Sequence, residues 1–297
     1  MATDSKAENM NLCPLTLKDM IMEEEQDKVW FITGTSRGFG RVWTEAVLKR
    51  GDKVVATARN VVTLGDLKDK YGDQILTLEV DVTNPEQVRK AVQAAVDYFG
   101  RLDVVFNNAG YSLIGTIEEC TPDEVRAMYE TNIIGAVNVL QSTIPILRKQ
   151  GYGHILGTSS AVGHYSLPVI GYYSSSKWAF EAIYESLQKE IEAFGIHVTI
   201  IEPGAYATEF GSKNSLRIAS KKIEAYDNLK DTISVNMKAM ERGNPNATSE
   251  AIFAVVDAEH PPLRLLLGKG NLPYIEKVYQ QRLEIWKAWE SISESAQ

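Results

Sequence analysis

Cysteine is scarce in this sequence, and long apolar runs are missing. The 297 residues include only Cys13 and Cys120, which are too few for a disulfide framework and lack the spacing of a zinc site. No run of about 18 apolar residues occurs, which argues against a membrane-spanning helix. The first 26 residues lack the basic and apolar regions of a secretory signal. We therefore expect a cytoplasmic protein without a membrane segment.

Basic residues are also in deficit, with 31 lysines and arginines against 39 acidic residues and a formal net charge of −8. Nucleic acids and anionic membranes are bound through positive fields, so neither is an expected partner. The 10 prolines, 21 glycines and 44% hydrophobic residues exclude collagen-like repeats and extensive disorder. This composition is typical of an ordinary globular protein.

From Lys28 onward, short apolar runs alternate with longer segments of helical period. This alternation predicts an α/β fold, namely a single-domain, Rossmann-type, doubly wound parallel sheet of about seven strands with helices on both faces. The predicted strands are residues 29–33, 53–57, 75–80, 102–106, 154–157, 198–201 and 263–267. The predicted helices are residues 39–50, 85–99, 122–149, 172–194 and 248–258.

A glycine-rich turn follows the first predicted strand and opens the first predicted helix. It has the spacing G-x-x-x-G-x-G and consists of Gly34, Thr35, Ser36, Arg37, Gly38, Phe39 and Gly40. Glycines let a backbone approach a pyrophosphate closely, and the amides of a helix N-terminus stabilise its charge. The position predicts a dinucleotide site, and the alternative is a tight strand-to-helix turn without a ligand.

Two further motifs follow in order along the chain. The segment Asn107-Asn108-Ala109-Gly110 comes after the fourth predicted strand, and Tyr173 precedes Lys177 by four residues on a predicted helix. Together with the glycine spacing, these motifs resemble the short-chain dehydrogenase/reductase family in its single-domain branch. The resemblance covers about residues 28–270. It implies an NADPH-dependent carbonyl reductase that forms a homodimer or homotetramer.

The Tyr173–Lys177 spacing places both side chains on one helix face, one turn apart. A free tyrosine hydroxyl has a pKa of about 10, and a nearby ammonium favours its ionised form. The resemblance implies that Tyr173 is the general acid and that Lys177 tunes it and binds the nicotinamide ribose. Without the other motifs, the same pair would be interpreted as an exposed amphipathic pair.

Two more catalytic assignments come from the resemblance. Ser160 lies thirteen residues before Tyr173 and is expected to orient the substrate carbonyl, with Ser159 as the alternative serine. Asn132 is expected to hold a water that relays protons to Lys177. A core asparagine bonded to a helix carbonyl is the competing interpretation of Asn132.

The coenzyme prediction rests on the end of the second predicted strand, which reads Thr57-Ala58. In this family NAD-dependent enzymes usually carry an acidic residue there, and a carboxylate would repel a 2′-phosphate. Its absence leaves room for Arg59 and Arg37, which predicts NADP(H), although either arginine alone could be a solvated charge.

The resemblance assigns further cofactor contacts to Asp81, Val82, Asn108, Ala109, Gly110, Pro203, Gly204 and Thr208. Asp81 could instead cap the helix that begins near residue 85.

The α/β rhythm breaks over residues 205–247, which are expected to form a substrate lid because this family places its variable loop after a Pro-Gly motif. The methionines and aromatic residues there favour a medium or bulky hydrophobic ketone or aldehyde. The candidate pocket residues are Tyr111, His164, Tyr165, Leu167, Tyr206 and Phe210, and each could equally be ordinary packing. The histidines follow no ligand spacing, so no metal is predicted.

The expected organisation is an N-terminal extension over residues 1–27, a catalytic domain over 28–270 and a C-terminal helical tail over 271–297. Two other functions compete with carbonyl reduction. A dehydratase or epimerase can use the same Tyr/Lys pair, but such relatives generally have a longer chain and a different glycine spacing. A non-catalytic NADP(H)-binding redox sensor typically lacks the tyrosine, and Tyr173 is present.

Overall fold

The computed structural model describes residues 27–208 and 215–297, and its centre is a seven-stranded parallel sheet in the order β3-β2-β1-β4-β6-β7-β9. Its strands are β1 (Val29–Thr33), β2 (Lys53–Ala58), β3 (Ile75–Glu79), β4 (Val104–Asn107), β6 (Gly153–Thr158), β7 (Ile196–Pro203) and β9 (Arg264–Leu267). This is the doubly wound, Rossmann-type order, so the predicted fold class is confirmed. The N-terminal extension and Phe210 lie outside the described residues.

Ten α-helices are found in the described part of the chain. They are α1 (Gly38–Arg50), α2 (Gly65–Tyr71), α3 (Pro85–Phe99), α4 (Pro122–Tyr129), α5 (Gly135–Gln150), α6 (Gly171–Ile191), α7 (Asp227–Ala239), α8 (Ser249–Val256), α9 (Asn271–Ala288) and α10 (Glu290–Glu294). Within the described ranges, none of them is both long and apolar enough to cross a membrane.

Residues 122–149 are helical throughout, as predicted, but they do not form one uninterrupted α-helix. A π-helical turn, Glu130–Ile134, separates α4 from α5, and the Gly135 amide donates to the carbonyl of Glu130. Such a turn fits one additional residue into a helix and often occurs at functional sites. Asn132, one of the predicted catalytic residues, lies inside it.

The core lies on both faces of the sheet because successive side chains of a strand point to opposite sides. On β1, Val29 and Phe31 pack beneath α3, α5 and α6, whereas Trp30 and Ile32 pack beneath α1 and α8. All four side chains are fully buried. This alternation anchors β1 from both sides and fixes the position of the glycine-rich turn at its end.

A second, two-stranded sheet pairs β5 (Ser112–Ile114) with β8 (Leu216–Ile218) in parallel. It was not predicted, because each strand has only three residues and the two lie far apart in sequence. Helix α7 buries no residue, and its Lys230 donates a hydrogen bond of 2.7 Å to the buried carboxylate of Glu119. Glu119 also accepts the Ile223 amide at 3.0 Å. The predicted lid is therefore attached to the domain at Glu119 and at β5.

Candidate active site

The glycine-rich turn lies at the carboxyl end of β1, where the strand order reverses between β1 and β4, the usual ligand position in such sheets. Helix α1 begins there without a side-chain cap from the described residues and without an acidic residue in its first turn. Its first amides and dipole therefore suit an anion. A Cβ on Gly40 would lie 2.3 Å from the Gly34 carbonyl oxygen, so this turn has no space for a side chain at position 40.

The segment after β4 is bound directly to this turn. The hydroxyl of Thr33 accepts the amides of Asn108 at 2.9 Å and Ala109 at 3.0 Å. The Asn108 side chain donates to the carbonyls of Thr33 at 2.9 Å and Gly34 at 3.2 Å. These bonds join two of the predicted cofactor segments into one continuous floor, which fits a dinucleotide.

The predicted coenzyme-selecting residues lie beside this floor. Ala58 ends β2 and is 4% exposed, and the next residue, Arg59, is exposed just beyond the carboxyl end of the strand. Arg37 immediately precedes α1. After β3, the Asp81 carboxylate accepts the amide and hydroxyl of Thr83, whereas the cap of α3 is Asn84. The alternative role of Asp81 as that helix cap is therefore wrong.

Tyr173 and Lys177 both lie on the buried face of α6. Burial raises the pKa of the Tyr173 hydroxyl well above its usual range, and its hydrogen bond with Ser160 acts against that rise. The Lys177 ammonium lies 5.8 Å from the centre of the Tyr173 ring and donates to the carbonyl of Thr158 at 2.7 Å. Burial lowers the pKa of Lys177 to about 8, and the Glu181 carboxylate one turn further raises it. The exposed-pair interpretation of these residues does not hold, since Tyr173 is 8% and Lys177 6% exposed.

Ser160 and Ser159 face different neighbours. The Ser160 hydroxyl lies 3.4 Å from the Pro203 carbonyl oxygen and bonds Tyr173, so it belongs to the tyrosine side of the site. Ser159 is 2% exposed and lies beside the buried carboxylate of Glu181, against Gly163. Ser160 is therefore the serine that can reach a carbonyl group held by Tyr173.

The side chain of Asn132 is buried and engaged by protein groups. Its amide donates to the Tyr111 carbonyl at 2.9 Å and to the Ser176 hydroxyl at 3.2 Å, and its oxygen accepts the Tyr111 amide at 3.0 Å. Because both amide protons are used, a water bonded to this side chain could only donate to its oxygen.

The candidate pocket residues take different places. Tyr111 lies 4.5 Å beneath the Arg217 guanidinium of the lid, and Tyr165 packs against the apolar cluster that contains Tyr173. Tyr206 instead meets the Phe39 ring at 5.3 Å, on the α1 side of the sheet. Leu167 is half-buried in the segment between Ser160 and α6.

Val169, in the turn that leads into α6, was not singled out from the sequence. It is a buried β-branched residue with a φ of 63°, a conformation that costs such residues about 1–2 kcal/mol. Its carbonyl accepts the Gly115 amide at 2.8 Å. The strained backbone thus lies between the small sheet and Tyr173, and no pattern in the sequence indicates it.

Sequence reasoning also missed a charged cluster behind the two serines. His164 lies 3.0 Å from Glu202, and Arg264 lies 3.0 Å from Glu181 and 3.5 Å from Glu202. Both carboxylates are buried. His164, Glu181 and Glu202 hold their ligand atoms within 4.8 Å of one another, and the Arg264 guanidinium already places a positive charge beside both carboxylates. Only the fold reveals this cluster, because its members come from four elements.

Comparison with known proteins agrees with this geometry. A family model described as short chain dehydrogenase matches residues 28–218. The chain is 35% identical over 274 residues to Oxidoreductase BOA17 of Botryotinia fuckeliana, covering 90% of this chain and 98% of that protein. It is 33% identical over 245 residues to a 3-ketodihydrosphingosine reductase of Bacteroides thetaiotaomicron, covering 82% and 88%.

Among solved structures, a short-chain dehydrogenase from Streptomyces avermitilis superposes with a TM-score of 0.85 at 32% identity. The superposition covers 92% of this chain and 99% of that one. The similarity therefore extends beyond the family model and over nearly the whole of the described sheet and helices.

Proposed function

The chain belongs to the short-chain dehydrogenase family, and we propose that it is an NADPH-dependent reductase that converts a ketone or aldehyde into an alcohol. The observation that carries the proposal is the arrangement of half-buried Ser160 with buried Tyr173 and Lys177 at the carboxyl end of the sheet. Ser160 bonds the tyrosine hydroxyl, and the ammonium lies 5.8 Å from the tyrosine ring. A bound NADPH would supply the hydride.

Tyr173 acts as the acid of the reduction. Because burial keeps its hydroxyl protonated, Tyr173 can donate that proton to a carbonyl oxygen as negative charge develops there. Ser160 orients the same oxygen by a hydrogen bond. Lys177, anchored by the Thr158 carbonyl, provides the positive charge that stabilises the phenolate left behind.

The protein floor suits a dinucleotide with a 2′-phosphate. The uncharged Ala58 side chain leaves the end of β2 without a carboxylate. Arg37 within the glycine-rich turn and Arg59 directly after β2 supply two cations. Asp81 and Val82 follow β3, where an adenine would be expected. Pro203 ends β7, and Gly204 and Thr208 come after it, where the nicotinamide would be expected. NADP(H) is therefore the proposed coenzyme.

The proposed substrate is a bulky apolar carbonyl compound. Tyr111 and Tyr165 pack around the cluster formed by Tyr173, Leu113 and Val162, so the space next to the tyrosine hydroxyl is walled by apolar side chains. One matched relative is named as the reductase of a keto compound, 3-ketodihydrosphingosine, which is consistent with this class.

The decisive test measures NADPH consumption with a panel of aliphatic and aromatic ketones and aldehydes, alongside product analysis. We expect turnover by the wild type and loss of nearly all turnover in Tyr173→Phe, with NADPH affinity retained because only the hydroxyl is removed. Tyr172→Phe is the matched control, since within the described part of the chain its hydroxyl bonds just the Ile117 carbonyl, at 3.4 Å. Near-normal turnover of Tyr173→Phe would overturn the assignment. Product formation without net NADPH consumption would point instead to an epimerase or dehydratase.

A further inference from the structure

Helix α9 lies against the segment that carries Ser160. The Tyr274 ring meets the Tyr165 ring edge-on at 4.7 Å, and the Tyr279 hydroxyl lies 3.1 Å from Nδ1 of His164. Further along, the Arg282 guanidinium lies 4.9 Å over the ring of Trp178. These three contacts are distributed over residues 274–282, so half of α9 follows this face of the domain.

Two of these three partners, Tyr165 and Trp178, lie next to the proposed catalytic residues. Tyr165 packs against the apolar cluster that includes Tyr173, so Tyr274 extends an aromatic surface that starts at the proposed acid. Trp178 follows Lys177 and donates to the Val162 carbonyl at 3.0 Å. The outer faces of the tyrosines of α9 are open, since Tyr274 is 46% and Tyr279 43% exposed.

The start of α9 covers a predicted cofactor contact. The side-chain amide of Asn271 packs on Gly204, where an added Cβ would lie 2.2 Å from its nitrogen. The same amide donates to the carbonyl of Leu267 at 2.7 Å. The helix is therefore fixed at the nicotinamide side by Asn271 and further along by Tyr274 and Tyr279.

His164 links this helix to the buried charges of the domain. Its Nε2 lies 3.0 Å from Glu202, the residue before Pro203 in β7, and its Nδ1 faces Tyr279 of α9. Glu181 of α6 and Arg264 of β9 are the other charged groups that face it. His164 is thus the one polar bridge, among the described residues, from the 2% exposed carboxylate of Glu202 to α9.

We propose that His164 is a positioning residue that holds α9 as a wall of the substrate site, and that this wall gives the enzyme its preference for carbonyl compounds with a bulky apolar group. The proposal rests on the proposed reductase function. An apolar group would lie along the surface formed by Tyr165 and Tyr274, which offers aromatic faces and no charge. A small carbonyl compound would not reach this surface and would be reduced independently of α9.

The charge of His164 makes this wall sensitive to pH. The hydrogen bond to Glu202 raises the pKa of His164, Glu181 raises it further, and burial and Arg264 oppose the rise. The imidazolium therefore persists to higher pH than that of a free histidine, and it is lost as the pH rises through the raised pKa. Neutral His164 no longer compensates the Glu202 carboxylate, so α9 should be held less firmly at alkaline pH.

Hydrogen exchange in the full-length protein tests the attachment without any substrate. We expect amides of residues 271–288 to exchange faster in His164→Gln and in Tyr279→Phe than in the wild type, whereas amides of α3 are unchanged. In the wild type, exchange of α9 relative to α3 should accelerate at alkaline pH, and His164→Gln should abolish this difference. His260→Gln is the control, because that side chain is 89% exposed. Unchanged α9 exchange in both variants would overturn the attachment.

Kinetics test the selectivity. The ratio of kcat/KM for an aryl ketone to that for a small aliphatic ketone should fall about tenfold in His164→Gln and Tyr279→Phe, through a higher KM with kcat retained. The same ratio should fall with rising pH in the wild type and stay flat in His164→Gln. An unchanged ratio despite faster α9 exchange would overturn the substrate wall. A wild type that reduces no carbonyl compound would overturn the proposed function itself, and the exchange measurements would still decide whether His164 holds α9.

Discussion

Asn132 holds the backbone of Tyr111 from both sides: its oxygen accepts the Tyr111 amide at 3.0 Å, and its amide donates to the Tyr111 carbonyl at 2.9 Å. Tyr111 follows the segment that forms part of the cofactor floor. A Cβ on Gly110 would lie 3.2 Å from the Asn132 oxygen and 3.9 Å from the Lys177 ammonium. Asn132 therefore fixes the backbone of residues 110 and 111, which lies next to the Lys177 ammonium.

The substitution Asn132→Asp tests this clamp. It keeps the shape of the side chain but removes both amide protons, so the Tyr111 carbonyl and the Ser176 hydroxyl lose their donor in a 2% exposed position. We expect the free energy of unfolding to fall by about 1–3 kcal/mol, together with a loss of turnover. Denaturant unfolding measures the first quantity.

Asn84→Asp is the matched control for that substitution. Asn84 caps α3 by accepting the amides of Glu86 and Gln87, and an aspartate accepts them equally well. Its unfolding free energy should change by less than about 0.5 kcal/mol. Equal effects of the two substitutions would refute the clamp.

The pH dependence of reduction should depend on Glu181. Burial lowers the pKa of Lys177 to about 8, and the Glu181 carboxylate keeps it from falling further. Glu181→Gln removes this charge, so Lys177 should lose its proton at lower pH and the alkaline limb of the kcat/KM profile should move to lower pH. Glu185→Gln, one turn further on α6 and also bonded to Arg264, should leave the limb in place. An unshifted limb in Glu181→Gln would remove Lys177 as the group that controls it.

Gly40→Ala should weaken dinucleotide binding. The added Cβ would lie 2.3 Å from the Gly34 oxygen and 2.4 Å from the Asn108 amide nitrogen, so the turn must open. We expect a cost of about 1–3 kcal/mol, which corresponds to roughly a five- to hundredfold loss of affinity. Gly65→Ala is the matched control. An added Cβ there has no heavy atom within 4 Å, and the φ of −57° is already helical. Its free energy of unfolding should rise by about 0.5–1 kcal/mol. Titration with NADPH and thermal unfolding of both variants distinguish the two cases.

Coenzyme preference should follow the charge at the end of β2. A charge-assisted hydrogen bond contributes roughly 1.5–3 kcal/mol, so Arg59→Leu should weaken discrimination in favour of NADPH by about ten- to a hundredfold with little effect on NADH. Ala58→Asp combined with Arg59→Leu should go further, because the carboxylate repels a 2′-phosphate. Arg89→Leu, which removes an exposed arginine paired with Glu86, is the control. A wild type that prefers NADH would refute the assignment of Arg59.

The sequence predicted those parts of the fold that depend on local pattern. The buried run Val104-Val105-Phe106 belongs to one strand, and Tyr173 and Lys177 lie on one face of one helix. Residues that are close in sequence are enough to predict either feature. The order of the motifs then predicted which strand ends carry them.

Other parts depend on contacts between residues that are distant in sequence. The sheet of β5 and β8 pairs Leu113 with Arg217 across the lid, and three-residue strands carry no recognisable alternation. Helix α2 begins with Gly65, a weak helix former, and has only seven residues, so its helical period is not visible. The bridge from Glu202 through His164 to Tyr279 needs a strand, a turn and a helix in their final places.

The π turn between α4 and α5 makes the active site depend on the number of residues in this helix as well as on their identity. Because an α-helix advances about 100° per residue, the additional residue in Glu130–Ile134 sets the side chains of α4 out of phase with those of α5. A single-residue deletion here would restore a continuous α-helix. It would also turn Asn132 by about 100° away from Tyr111, even though every residue of the Tyr173–Lys177 motif would still be present.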